Sequence, residues 1–201
     1  MPLREAAERR VRYLTKDEVE RFFAAIPENN TRDKLLFEVI YRHGLRRVEA
    51  TMLRLNDLSN GRVWITRAKN GISGEYPIHP HTRKLLWRYV NERRADGNPH
   101  LFVSRQGKDG GPLSEPLIYH LFRRYAKLAN LPRDRQHPHV LRHAIAVHLL
   151  TTGWDLVDVQ DWLGHKDIKS TVVYARIVNK RREMKYEEAL HSKEIAANDS
   201  D

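Results

Sequence analysis

Three short stretches of this sequence carry side chains suited to handling a phosphate. In Tyr41-Arg42-His43-Gly44-Leu45-Arg46-Arg47-Val48-Glu49, a glycine ends one helical pattern and an arginine opens the next. A guanidinium at a helix start adds its charge to free backbone N–H groups and a positive dipole end, which suits an anion. Arg46 and Arg47 are both candidates, and the choice rests on the spacing after Gly44. Glu49 lies three residues beyond Arg46 on the same face and can hold it, although a plain surface Arg–Glu pair has the same pattern. In His137-Pro138-His139-Val140-Leu141-Arg142-His143, His139 shares a helix face with Arg142 and is four residues from His143. A core histidine with its hydrogen bonds satisfied is the plain alternative for His143. A metal pair at this spacing needs a third ligand, and the charge of Arg142 opposes a cation, so no metal site is expected. Trp162-Leu163-Gly164-His165 is followed nine residues later by Tyr174. By itself a tyrosine after a Val pair reads as half-buried packing.

These side chains need helices to hold them. Thr15-Lys16-Asp17-Glu18 has the pattern of a capping box, and Val19, Phe22, Phe23 and Ile26 follow at helical spacing up to Pro27. A second helix is predicted over about 31–43, capped by Gly44 in the left-handed region, and a third from near Arg46 to near Leu53. Between 56 and 80 the period changes to two. Val63 and Ile65, then Tyr76 and Ile78, alternate with polar neighbours across Lys69-Asn70-Gly71, which reads as a small antiparallel sheet with a turn. Helices return at about 81–94, 115–130, 139–152 and 155–163, with a short one at 169–175. In the 139–152 helix, Leu141, Ile145, Leu149 and Leu150 are expected on or near the buried side, opposite the histidines. The expected fold class is mainly α with a small antiparallel β-sheet (α+β).

Composition narrows the partners. The 201 residues hold 36 Lys and Arg against 26 Asp and Glu, a formal net charge of +10 with histidine neutral. That surplus favours nucleic acid over an anionic membrane, the weaker alternative, or a merely basic surface. There is no cysteine, so disulfides, thiolate metal sites and a cysteine nucleophile are excluded. No apolar run approaches the length of a membrane span, and the N-terminal stretch has no apolar centre of the kind a secretory signal carries. A cytoplasmic, DNA-associated protein is expected.

Taken in order, G-L-R-R-V-E, then H-V-L-R-H, then L-G-H with a tyrosine nine residues later, the sequence resembles the tyrosine recombinase (phage integrase) family over roughly residues 11–180. Each motif alone is weak, but the three in order at this spacing are specific. The resemblance implies a basic lead-in at 1–12, a catalytic domain at 13–180 and a charged tail at 181–201 exchanged between subunits. The short stretch before residue 13 is similar to the arrangement in small recombinases of fimbrial phase-variation switches, which lack a preceding clamping domain.

The resemblance also implies roles. Tyr174 is the expected nucleophile, forming a 3′-phosphotyrosyl link to DNA and freeing a 5′-hydroxyl. Arg46 and Arg142 clamp the non-bridging oxygens, His139 is placed to take the phenol proton, and His165 bonds the phosphate. Lys69 matches the family's mobile lysine as the acid for the leaving oxygen, with Arg67 competing for that role. Glu49 and His143 are expected as structural support. Arg47, Arg67, Arg123, Arg124 and Lys127 are candidate DNA contacts, as is the basic group Arg83, Lys84, Arg88, Arg93 and Arg94. No cofactor or metal is implied, since the arginines supply the positive charge. The implied partners are double-stranded DNA and further copies of the chain in a tetrameric synapse. The competing readings are an inactive DNA-binding regulator of the same fold, a type IB topoisomerase-like relaxing enzyme, and an unrelated basic helical protein.

Overall fold

The computed structural model describes residues 11–93, 97–104, 110–175, 177–178 and 186–187. Most of the 1–12 lead-in, Arg94 and most of the 181–201 tail lie outside the described residues.

Chain order runs α1 (Lys16–Ala24), α2 (Thr31–Arg42), α3 (Arg47–Met52), β1 (Leu58–Ser59), β2 (Arg62–Ile65), β3 (Gly74–Pro77), α4 (Pro80–Arg93), α5 (Glu115–Leu128), α6 (His139–Thr151) and α7 (Leu156–Leu163). A further helical stretch covers 169–175. The predicted capping box forms: Glu18 N–H donates to Thr15 Oγ1 at 3.3 Å, and Thr15 N–H donates back to Glu18 Oε2 at 2.9 Å. Pro27 does not set the end of α1, which closes at Ala24 with Ala25 as its cap.

The sheet is antiparallel in the order β1-β2-β3. Val63 faces Tyr76 and Ile65 faces Gly74 across the β2–β3 ladder, and Val63, Ile65 and Tyr76 are buried. The strand β1 was not foreseen, because two residues are too few to show alternation.

Helix α2 packs against α4 and α6. Aromatic rings join α1, α2 and α5 at the centre, where Phe22 stacks on Phe122 at 4.6 Å and meets Phe37 edge-on at 5.3 Å. The expectation of a one-sided α6 fails. Val140, Leu141, Arg142, Ala144, Ile145, Ala146, Val147 and His148 are all buried, while Leu149 and Leu150 are only partly covered. Helices α2 and α7 both pack against α6, and its two alanines permit close approach. The helix that carries the chemistry is therefore interior to the molecule.

Candidate active site

The carboxylate of Glu49 sits at the centre of the candidate site, on α3, with its side chain fully buried. Arg46, the N-cap of that helix, donates its backbone N–H to Glu49 Oε2 at 2.9 Å and its guanidinium Nη1 to Oε1 at 2.6 Å. Arg67 Nη1 donates to Oε2 at 3.1 Å, and Ala68 N–H to Oε1 at 3.2 Å. Arg142 Nη1 approaches Oε2 at 3.8 Å. Three guanidiniums thus share one carboxylate, and the cluster keeps a positive excess able to receive an anion. Burial pushes the Glu49 carboxyl up, but the Arg46 N–H and the charges of Arg67 and Arg142 outweigh it and hold the pKa below its ordinary value.

Arg142 comes from the interior of α6. Its guanidinium donates to Gly44 O from Nη1 and to Leu163 O from Nη2, the latter at 2.9 Å. It therefore ties the α2–α3 junction to the end of α7. The junction requires its glycine, because Gly44 has φ +58° and a Cβ there would strike Leu163. Burial, then repulsion from Arg46 and Arg67, lowers Arg142 to about 9, which leaves it charged at neutral pH.

Tyr174 is 2% exposed and packs with Ile145, Val159 and Leu163. Its hydroxyl lies 2.7 Å from His143 Nδ1. The ring that meets the phenol in this structure is thus His143, the residue expected only as support. His139 stands one place further out, edge-to-face with His143 at 4.6 Å between ring centres. Burial raises the Tyr174 phenol to about 12, against the pull of Arg142 and Arg46. Burial and then the charge of its neighbour His139 hold His143 at about 3. His139 is open to solvent on one side, yet desolvation by the protein beneath it, followed by the charge of Arg142, holds it at about 4. All of these rings are neutral at pH 7.

His165 follows Gly164, the left-handed cap of α7. Its Nδ1 lies 2.9 Å from Thr171 Oγ1, which leaves Nε2 for another partner. Burial, then the charges of Arg142 and Arg46, lowers it to about 3. Lys69 and Asn70 form the exposed tip between β2 and β3, both with positive φ (+56° and +59°). The tip is anchored at its far side, where Ile72 N–H donates to Gly164 O at 3.1 Å.

The basic surface residues separate into two kinds. Arg123, Arg124 and Lys127 are exposed on α5, and Arg47 is partly exposed beside it. Arg47 and Arg123 both lie against the Tyr119 ring, at 5.7 and 5.8 Å. Arg83, Lys84 and Arg88 are exposed on α4. Arg67 and Arg93 turn inward instead. Arg93 donates to the carbonyls of Asn98, His100 and Leu101. The side chain of Arg67, expected as a DNA contact or as the competing acid, is fully buried, with Glu49 and the carbonyls of His43 and Trp162 as its partners. Strand parity contained the signal: positions 63, 65 and 67 alternate onto the buried face. Among the described residues, no group of three or more His, Asp or Glu is placed to hold a metal ion, and no helix is long and apolar enough to cross a membrane.

Fold and site together define a mostly helical domain in which three arginines share one buried carboxylate, with a histidine–tyrosine contact at α6 and a lysine at the tip of the β2–β3 hairpin. The sequence model of the phage integrase family matches residues 12–181, and the chain belongs to that family. It is 31% identical over 169 residues to the tyrosine recombinase XerA of Pyrococcus furiosus, covering 83% of this chain and 58% of XerA. It is 37% identical over 171 residues to the type 1 fimbriae regulatory protein FimE of Escherichia coli K12, covering 81% of this chain and 84% of FimE. Among solved structures, XerA recombinase superposes with a TM-score of 0.75 at 25% identity, over 94% of this chain and 65% of that one. XerH recombinase bound to its palindromic difH substrate after cleavage also gives 0.75, at 26% identity, over 92% of this chain and 55% of XerH. The chain thus spans less than two thirds of several of the longer relatives it matches, and most of FimE.

Proposed function

We propose that this chain is a site-specific DNA recombinase that cuts and rejoins double-stranded DNA through a 3′-phosphotyrosyl intermediate. The observation that carries the reading is the convergence of Arg46 and Arg142 on Glu49, with both charges acting on the Tyr174 hydroxyl. Family membership and the recombinases among its relatives support it.

The Tyr174 oxygen attacks the phosphorus in line. The bond from phosphorus to the tyrosine oxygen forms and the bond to the 5′-oxygen breaks. The phenol proton passes to the histidine pair, with His143 in contact and His139 next to it. Arg46 and Arg142 bind the oxygens on which charge grows, and losing one such donor costs about 3–4 kcal/mol of barrier. The Thr171 hydroxyl occupies His165 Nδ1, which leaves Nε2 to face a phosphate oxygen. Lys69 supplies the proton for the leaving 5′-oxygen. In the return step a 5′-hydroxyl gives its proton back to Lys69 and attacks the phosphotyrosine, and the tyrosine oxygen leaves and recovers its proton from the histidine pair. Bond energy is kept in the link, so neither ATP nor a cofactor enters.

The exposed cations Arg47, Arg123, Arg124 and Lys127 supply phosphate contacts along the duplex, and their contribution falls with salt. The working form is a homo-oligomer on paired sites, a tetrameric synapse in the cytoplasm, with the 181–201 tail exchanged between subunits. The identity with FimE over most of its length supports a phase-variation type of switch. The test is a gel assay for a covalent adduct on a nicked suicide duplex carrying the inverted repeats nearest the coding region. Wild type forms the adduct, and Tyr174→Phe binds the site without forming it. An adduct with the Phe variant names another nucleophile. Specific binding by wild type with no adduct establishes the regulator reading instead.

A further inference from the structure

Arg67 is a buried cation whose partners are almost all parts of the site. Its Nη2 donates to His43 O at 3.0 Å and to Trp162 O at 2.6 Å. Its Nη1 donates to Glu49 Oε2 at 3.1 Å and reaches Gly44 O at 3.5 Å. The Tyr76 ring, on β3, lies 5.1 Å from the guanidinium carbon. One planar group therefore connects four pieces of chain: its own hairpin, the α2–α3 junction, the carboxylate that holds Arg46, and the end of α7 just before His165. The backbone on either side is pinned as well. Arg67 N–H donates to Ser73 Oγ at 3.0 Å, and Ala68 N–H to Glu49 Oε1 at 3.2 Å. Gly164 packs so closely that a Cβ there would lie 2.7 Å from Arg67 Cγ. Two residues further on, Lys69 is free of such ties and exposed.

A merely structural role explains this poorly. Burying a guanidinium carries a large desolvation cost, and apolar side chains in place of a whole buried ion pair often give an equal or more stable fold. Here Nε is also buried without a hydrogen-bond partner. What an apolar side chain cannot do is join Glu49 to the His43 and Trp162 carbonyls in one plane. A lysine, as a single point charge, cannot span that set either.

We propose that Arg67 is a positioning residue for the reaction: by clamping the hairpin base to Glu49 and to the end of α7, it sets where Lys69 stands relative to the Arg46–Arg142 anion site. The inference rests on the reading of Lys69 as the acid, and the test separates the two. Suicide duplexes are prepared with oxygen or with sulfur as the 5′-bridging atom at the cut. A thiolate leaves without a proton, so the sulfur duplex bypasses the acid. Lys69→Ala is expected to cut the oxygen duplex about 10²–10⁴-fold more slowly and to recover on sulfur. Arg67→Lys and Arg67→Met are expected to slow the oxygen duplex at least about tenfold and to recover on sulfur, with site affinity kept. Equal slowing on both duplexes, or none on either, overturns the Arg67 proposal. Failure of Lys69→Ala to recover on sulfur overturns the acid reading instead. Arg67 is then judged by a physical readout that needs no chemistry. Since the chain has no cysteine, spin labels attach only at Lys69→Cys and at Val157→Cys, an exposed site on α7. The label distance is expected to be narrow with Arg67 present and broadened in the Lys and Met variants. An unchanged distribution overturns the proposal.

Discussion

Replacing Glu49 with glutamine removes the one negative charge from the middle of Arg46, Arg67 and Arg142 with almost no change of shape. The carboxylate is fully buried and both its oxygens accept: Oε1 from the Arg46 guanidinium and Ala68 N–H, Oε2 from Arg46 N–H and Arg67. An amide has one accepting oxygen, so its NH2 must face a donor whichever way it is turned. Removing one partner of a buried ion pair costs about 3–5 kcal/mol. For a chain of this size each 1 kcal/mol moves the midpoint by about 2–4 °C, so the melting temperature should fall by about 6–20 °C. Circular dichroism in a buffer without multivalent anions measures it. The variant site also holds a larger positive excess, so added sulfate or duplex DNA should raise its melting temperature more than that of wild type. A midpoint within about 2 °C of wild type refutes the reasoning, since the carboxylate then balances nothing that matters to the fold. So does equal anion stabilisation of the two proteins.

Acid should weaken the fold through the histidines. Burial holds His43 at about 4, and burial with neighbouring charge holds His139, His143 and His165 at about 3–4. A folded pKa below the unfolded value of about 6.5 means that the unfolded chain binds more protons in between. Stability is then full above pH 6.5 and is lost as pH falls toward 4, each such ring adding a slope of about 1.4 kcal/mol per pH unit. Urea titrations at pH 7 and pH 5 check this, and equal stabilities would contradict the buried neutral rings. Glu49 extends the loss below pH 4.5, because its carboxyl titrates lower when folded. Chelation with EDTA should leave adduct formation unchanged, since the arginines supply the charge a metal would bring. An activity lost to EDTA and restored by a divalent ion would refute that. Gly164→Ala should destabilise and slow cleavage together, because the residue has φ +63° and a Cβ would lie 2.6 Å from Ile72 O. Wild-type activity and melting in that variant would show that the α7 cap and the hairpin are not in the contact described.

The helices were legible in the sequence wherever a local signal marks them. Thr15 and Glu18 announce α1, and the period of two over Val63 and Ile65 reveals β2. The site was legible as motifs, since Arg46 with Glu49 and His139 with Arg142 are fixed by helix spacing alone. What the sequence hid was depth. The DNA contact expected of Arg67 needs a surface, yet Arg67 is buried, as is Arg142, because carbonyls and a carboxylate from distant segments replace water around them. The His143–Tyr174 contact joins residues 31 positions apart, beyond any local period. Helix α6 misled for a related reason: a helix covered on several sides has no polar face to reveal its orientation.

Arg142 joins Gly44 to Leu163, and Tyr174 closes the pocket from still further along the chain. The ends of that loop are far apart in sequence, so the loop is among the last to close as the chain folds. Under the proposed function, a chain that lacks its last segment holds the arginines at 46 and 142 without the tyrosine at 174, so cutting waits for the whole domain.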